Sequence, residues 1–154
     1  MKNSNSIRVW ARRLLPLLIL VPAYFVNVEV QSMLGRKAQA ATGLEDLTLD
    51  AALSRAAVTE KLVLVDMSAI WCPNCRRLDK NVFADAAVQL AINDRFFFAR
   101  VDYESEEGKA FQQRYSVRGF PVLLVLRADG SLVEQLPIIM NPDAFRVRLA
   151  QVSL

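Results

Sequence analysis

The 154-residue sequence contains no histidine and only two cysteines. Without histidine, Ser-His-Asp hydrolysis, Cys-His proteolysis and every His-ligated metal site are excluded. Two thiolates cannot complete the four-ligand shell of a mononuclear zinc ion, so a zinc site would need Asp or Glu as further ligands. The missing histidine therefore removes the commonest hydrolase and metal chemistries and directs attention to the two cysteines.

The sequence also lacks the charge pattern of a basic globular surface, although its net charge is +3. Residues 1–40 carry six Lys or Arg and one Glu, whereas the remaining 114 residues carry 13 basic and 15 acidic side chains. Because the excess positive charge flanks an apolar stretch instead of patterning a fold, we expect no nucleic-acid partner.

The N-terminal segment has the layout of an export signal. Leu14–Val26 is an uncharged run of thirteen residues that three arginines precede. At 1.5 Å per residue the run spans about 20 Å, less than the roughly 30 Å bilayer core, so by itself it is a marginal transmembrane helix. Residues 38–40 have the small-x-small pattern that a signal peptidase needs, but they lie farther beyond Val26 than a compact cleavage region usually allows. We expect residues 1–40 to be a cleaved signal peptide or an uncleaved signal anchor, with the following chain on the far side of the membrane.

A buried core helix is the alternative interpretation of this apolar run. Two prolines and the basic residues at its start disfavour it.

The remaining chain, residues 44–154, predicts one α/β domain with one core. Apolar β-branched or aromatic runs predict strands, and a Ser, Thr, Asp or Asn before an amphipathic segment predicts a capped helix. The predicted elements are a helix capped by Thr48 or Asp50 and ending at 57, strand 62–67, a helix from 72 toward 82, helix 85–92, strand 96–103, helix 106–115, strands 121–126 and 131–135, and helix 141–152. This order implies a central mixed β-sheet with helices on both faces.

The two cysteines lie in Trp71-Cys72-Pro73-Asn74-Cys75, between a predicted strand and a predicted helix. A helix N-terminus stabilises a thiolate through its unpaired N–H groups and its dipole, and proline suits the first helical position. We therefore expect Cys72 to be an exposed nucleophile and Cys75, one turn later, to be an inward-facing resolving thiol. The alternatives are half of a zinc site and an inert disulfide, although so short a loop restrains the unfolded chain little.

Two separated segments resemble the thioredoxin superfamily: LVLVDMSAIWCPNCRRL, Leu62–Leu78, and YSVRGFPVLLVL, Tyr115–Leu126. A third segment, NVFADAAVQLAIND, Asn81–Asp94, resembles the short helix that follows the CxxC helix in periplasmic proteins similar to the C-terminal domain of the DsbD-type thiol:disulfide interchange reductase. The resemblance covers residues 44–154. It implies a thioredoxin-like fold, preceded here by the N-terminal apolar targeting or anchor helix.

The resemblance implies an acid behind the second cysteine. Asp66 stands at that position inside an apolar strand, where burial would raise its pKa and let it accept a proton from Cys75. An aspartate at a strand end that reaches solvent is the alternative. Arg100 stands where thioredoxins have a lysine near that acid, and, if the two meet, arginine would hold Asp66 ionised more firmly than lysine.

The resemblance also implies a docking surface for substrate. Pro121, after Phe120, corresponds to the cis-proline beside the CxxC loop, which turns backbone groups toward an incoming peptide; an ordinary trans turn is the alternative. Trp71 and Phe120 would line an apolar rim around Cys72, and Pro73 and Asn74 would complete the docking residues.

Together these features predict a monomeric thiol:disulfide oxidoreductase in the periplasm, exported or tethered to the inner membrane. It would reduce or exchange protein disulfides and would need no cofactor or metal beyond its cysteine pair. The expected partners are protein disulfide substrates and a transmembrane electron-donor reductase. The alternatives are a disulfide-donating oxidant and a binding or chaperone module for cysteine-containing apoproteins, as in cytochrome c maturation.

Overall fold

The computed structural model describes the backbone of residues 4–153 and the side chains of residues 16–153. The first element, α1, is one continuous helix, Ser4–Ala40. In the described part of the chain, its segment Pro16–Ala40 is the one helix long and apolar enough to cross a membrane. Side chains from residue 16 to residue 27 are exposed. This exposure contradicts a buried core helix.

The other elements follow the predicted order closely. The helices are α2 (Leu49–Ala56), α3 (Pro73–Leu78), α4 (Ala86–Arg95), α5 (Glu106–Tyr115) and α6 (Pro142–Ala150). The strands are β1 (Leu62–Ser68), β2 (Phe96–Asp102), β3 (Val122–Leu126) and β4 (Leu132–Leu136).

Side-chain caps explain where several helices begin. Thr48, Asp85, Ser105 and Asn141 each accept a hydrogen bond from a backbone N–H in the first turn of the helix that follows. Such bonds satisfy donors that have no partner inside the helix. The caps of α2, α4 and α6 agree with those expected from the sequence, whereas the Ser105 cap of α5 was not predicted.

The four strands form one mixed sheet in the order β2-β1-β3-β4. Strand β1 runs parallel to β2 and antiparallel to β3, and β3 pairs with β4 as an antiparallel hairpin. In this register Asp66 lies opposite Arg100 on β2 and Leu123 on β3. The fold is therefore the thioredoxin-like arrangement expected from the sequence.

Alternate residues of β1 enter two different cores. Val63, Val65 and Met67 pack with α2 and α5, whereas Leu62 and Leu64 pack on the other side with α3, α4 and α6. Because successive side chains of a strand point to opposite faces, Asp66 lies on the same face as Leu64. That face also receives the helix that follows the cysteines.

The helix after the cysteines differs from the expected one. Instead of continuing as an α-helix toward Val82, α3 ends at Leu78 and a π-helical turn, Asp79–Phe83, follows. Asp79, Val82 and Phe83 are all buried. Their spacing of three and four residues places these side chains on the inward-facing side of the helical turn.

Candidate redox site

Cys72 and Cys75 form a disulfide at the start of α3, with their Cα atoms 5.3 Å apart. Cys72 is the N-cap residue, and its Sγ accepts a hydrogen bond from the backbone N–H of Cys75 at 3.1 Å. Pro73 occupies the first turn, where its missing N–H costs no intrahelical bond. An N–H aimed at Sγ stabilises negative charge on that sulfur. The arrangement therefore favours Cys72 as the thiolate of the reduced pair.

The sequence predicted an exposed Cys72, and the structure corrects this expectation. In the disulfide form Cys72 is 4 % exposed, the same as Cys75. The reason is local packing, because Trp71, Tyr103 and Phe120 gather around the cysteine pair. Pro73 and Asn74, the two residues between the cysteines, remain exposed.

The aromatic rim around the cysteines consists of Trp71, Tyr103 and Phe120. The Phe120 ring meets Trp71 edge to face at 5.3 Å and meets Tyr103 at 4.6 Å between ring centroids. The indole N–H of Trp71 donates to the carboxylate of Glu104 at 3.0 Å. Trp71 is thus held by an edge-to-face aromatic contact and by a hydrogen bond.

The peptide bond between Phe120 and Pro121 is cis, as the sequence comparison with thioredoxins implied. Pro121 directly precedes β3, whose first residue, Val122, pairs with Met67 near the end of β1. Since Phe120 also contacts the cysteine cluster, the cis-proline turn lies at the same edge of the sheet as the disulfide.

Behind this edge, an arginine whose side chain is 10 % exposed is surrounded by three carboxylates. Arg100 donates from Nη1 to Asp66 at 2.6 Å and from Nη2 to Asp79 at 3.0 Å, and its Nε lies 3.3 Å from Asp46. The Asp66 and Asp79 side chains are 2 % and 3 % exposed, whereas that of Asp46 is 39 % exposed. Asp66 therefore does not reach solvent, and Asp66 and Arg100 do meet.

Arg100 does not keep the pKa of Asp66 in its usual range. Burial raises the pKa of Asp66 from 3.8 to about 6; Arg100 opposes the rise, and the neighbouring charge of Asp79 adds to it. Burial also raises the pKa of Asp79. One oxygen of Asp66, Oδ1, has no hydrogen-bond partner among the described residues. This buried carboxylate oxygen is therefore available to accept a proton.

Sequence reasoning missed Asp79, Asp46 and the rim residue Tyr103. Asp79 follows Cys75 by four residues, so helical periodicity could have placed both on the inner face. Asp46 lies beside Arg100 because Leu47 makes an isolated parallel bridge with β2, a contact that no local pattern indicates. In the described residues no group of three or more His, Cys, Asp or Glu side chains is placed to hold a metal ion.

The family model described as a thioredoxin-like domain matches residues 49–153. Among curated proteins, the thiol:disulfide interchange protein DsbD of Pseudomonas fluorescens is 34 % identical over 84 residues, 54 % of this chain and 14 % of that protein. A protein disulfide-isomerase of Datisca glomerata is 29 % identical over 73 residues, 47 % of this chain and 14 % of that protein. The chain thus covers only about a seventh of the length of these relatives.

Solved structures of a thioredoxin and of a DsbD domain also resemble this chain. A thioredoxin from Thermus thermophilus superposes with a TM-score of 0.62 at 28 % identity, covering 71 % of this chain and 86 % of that one. The oxidised C-terminal domain of DsbD from Neisseria meningitidis gives a TM-score of 0.57 at 26 % identity, covering 71 % of this chain and all of that one.

Proposed function

The chain belongs to the thioredoxin-like domain family, and from that membership we propose that it is a thiol:disulfide oxidoreductase that reduces or exchanges protein disulfides outside the cytoplasmic membrane. The observation that carries the proposal is the Cys72–Cys75 disulfide at a helix start, with an N–H donated to Cys72 Sγ. The names of the relatives, thiol:disulfide interchange protein and protein disulfide-isomerase, support the same reaction class.

In the proposed reaction, the Cys72 thiolate attacks one sulfur of a substrate disulfide, and the other substrate sulfur leaves as a thiolate. Cys75 then loses its proton and attacks Cys72 Sγ. This second step forms the intramolecular disulfide and releases the second substrate thiol. The two electrons pass from the cysteine pair to the substrate, so the step needs no cofactor.

Asp66 would accept the proton that Cys75 loses, directly or through a water molecule. A carboxyl group with a pKa of about 6 is mostly ionised at pH 7 and still basic enough to hold a proton transiently. Its unpaired Oδ1 supports this role. Trp71, Phe120 and Pro121, with the exposed Pro73 and Asn74, would form the surface on which the substrate peptide docks.

For the N-terminal segment, we propose that residues 1–40 direct export and that residues 44–154 form a monomeric domain in the periplasm. The exposed apolar part of α1 supports this assignment. Repeated reduction would require a transmembrane electron donor, because one helix cannot carry electrons across a bilayer. The resemblance of residues 44–154 to the C-terminal domain of the DsbD-type interchange reductase is the reason for preferring the reductive direction.

The test is insulin reduction with dithiothreitol as the terminal reductant. Wild type should accelerate insulin precipitation, and both Cys72→Ser and Cys75→Ser should lose turnover. The two variants are matched, since each lacks the disulfide, but only Cys75→Ser keeps the proposed nucleophile. When each variant is reduced, freed of dithiothreitol and then mixed with insulin, Cys75→Ser should therefore accumulate mixed disulfides on non-reducing gels, and Cys72→Ser should not. Turnover that survives Cys72→Ser would refute the proposal.

The direction of electron flow is decided by the reduction potential of the cysteine pair. A value near −270 mV, that of thioredoxin, would support the reductive role, whereas a value near −120 mV would indicate an oxidant that donates disulfides. The fraction of oxidised protein at equilibrium in glutathione or dithiothreitol buffers of known potential gives this value.

A further inference from the structure

Helix α1 has two parts that differ in burial. From residue 16 to residue 27 its side chains are exposed, and they include large apolar residues: Leu17, Leu18, Ile19, Leu20, Tyr24, Phe25 and Val26. From Val28 onward, buried or half-buried positions recur with the spacing of one helix face, at 28, 31, 32, 34, 35, 38 and 39. Positions with this spacing lie on one helix face. The second part of α1 is thus docked along a stripe.

The docked part contacts the segment that carries the cysteines. A Cβ atom added to Gly35 would lie 1.9 Å from the carbonyl oxygen of Ile70, in the loop between β1 and Cys72. Arg76 of α3 donates a hydrogen bond to Gln31. Small residues in the stripe, among them Ser32, let the helix backbone approach this closely. Residues 28–40 are therefore packed as part of the domain and do not form a loose tether.

This packing bears on whether the helix is removed. The small-x-small pattern at 38–40 lies inside α1, and Ala38 is 1 % exposed. Cleavage there would remove the residues that cover Ile70 and hold Arg76. A helix that is packed in this way is expected to stay attached, which favours an anchor over a cleaved signal.

The same helix fixes the height of the redox site above a bilayer. The apolar run ends at Val26, and Asn27 and Glu29 favour the aqueous side of the interface. A groove beside the cysteines is lined on one side by α1 and on the other by two neighbours of Cys72: Tyr24, Asn27, Val28, Gln31, Trp71 and Pro73. The residues that flank Cys72 therefore lie level with the point where α1 leaves the membrane.

We infer that α1 is a retained anchor that holds the redox site at the membrane surface, and that the partner it serves is an integral-membrane protein whose reacting cysteine lies at headgroup level. The groove is continuous with the exposed apolar part of α1, so a segment leaving the bilayer beside α1 would reach Cys72 without rising from the surface. Its polar residues, Asn27 and Gln31, and its apolar residues, Tyr24 and Trp71, match an interfacial segment. This inference rests on the proposed function.

The test uses the full chain in phosphatidylcholine vesicles, reduced beforehand and freed of reductant. The probe is a single-span helical peptide with one cysteine blocked as a mixed disulfide with 5-thio-2-nitrobenzoate. Attack by the Cys72 thiolate releases the nitrobenzoate thiolate, and Cys75 then forms the Cys72–Cys75 disulfide and frees the peptide thiol. One peptide carries its cysteine at headgroup level, and a second carries it ten helical residues farther out, about 15 Å higher.

The absorbance of the released nitrobenzoate thiolate measures the rate of reaction with each of the two peptides. Wild type should react about tenfold faster with the headgroup-level peptide, because the two reacting groups are held in the same layer. A polar helical heptad inserted between Val26 and Asn27 raises the domain by about 10 Å and keeps the helix face in register, so it should reverse the preference. The same heptad between Asn5 and Ser6 is the matched control and should leave the preference unchanged.

Reduction of free 5,5′-dithiobis(2-nitrobenzoate) distinguishes failure of the membrane-surface inference from failure of the proposed function. If all forms reduce it normally but wild type reacts equally with both peptides, or the heptad after Val26 changes nothing, the membrane-surface inference is overturned alone. If wild type fails to reduce the free reagent, the proposed function fails and this inference falls with it.

Discussion

Replacing Asp66 by asparagine should stabilise the protein at neutral pH, although it removes a carboxylate that meets an arginine at 2.6 Å. The pKa of Asp66 rises from 3.8 in the unfolded chain to about 6 in the folded protein, so the folded state binds the proton more tightly. The contribution of Asp66 to the free energy of unfolding is therefore fully present below pH 3.8, where the carboxyl is protonated in both states. It is lost as the pH rises through 6. At pH 7 the ionised, buried carboxylate costs about 3 kcal/mol relative to its neutral form.

Asparagine resembles the neutral acid in shape and still accepts a hydrogen bond from Arg100. The free energy of unfolding of Asp66→Asn should therefore exceed that of wild type by about 0.5 kcal/mol at pH 4 and by about 3 kcal/mol at pH 7. Urea denaturation of the oxidised full chain in detergent micelles, followed by tryptophan fluorescence between pH 4 and pH 8, measures this difference.

Asp94→Asn is the matched control, since Asp94 is an exposed carboxylate on α4. Its effect should stay within about 0.5 kcal/mol at every pH. If Asp66→Asn is less stable than wild type at pH 7, or if the difference between the two is independent of pH, attraction by Arg100 outweighs the burial cost and the reasoning is wrong.

Two further predictions concern the arginine cluster and the docked helix. Arg100→Met leaves Asp66 buried without its cation and should lower the free energy of unfolding at pH 7 by about 3–5 kcal/mol in the same urea assay; adding Asp66→Asn should restore part of the loss. Gly35→Ala places a methyl group against the Ile70 carbonyl and should accelerate amide hydrogen exchange in residues 31–40. Met33→Ala, at an exposed position of the same helix, should not, and equal exchange in both would argue against tight docking.

The order and type of the elements in residues 44–154 follow from local signals. Apolar β-branched runs predict β1 and β3, and the residues that cap α2, α4 and α6 mark their starts within the sequence. The π-helical turn Asp79–Phe83 was not predicted, because its wide spacing has no local signature and is stabilised by burial of three side chains against the sheet.

The candidate site was predictable to different degrees. Cys72 and Cys75 are unmistakable as the only cysteines, and Asp66 stands out as a charge within an apolar strand. Asp46 could not be found from the sequence, because the register between Leu47 and β2 brings it to Arg100. The docked stripe of α1 was equally hidden, since it contains small and polar residues and gives no apolar periodicity.

The sequence by itself determined the dithiol chemistry, the class of fold and the presence of an apolar N-terminal segment, because residue type, spacing and hydropathy are local properties. Tertiary structure alone decided that Cys72 is buried in the disulfide form, that Arg100 is shared by three carboxylates, and that α1 packs beside the cysteines. Each of these features depends on side chains far apart in the chain, and their energies come from burial and from charge at short range. Folding brings those side chains together, and local sequence patterns do not encode the distances between them.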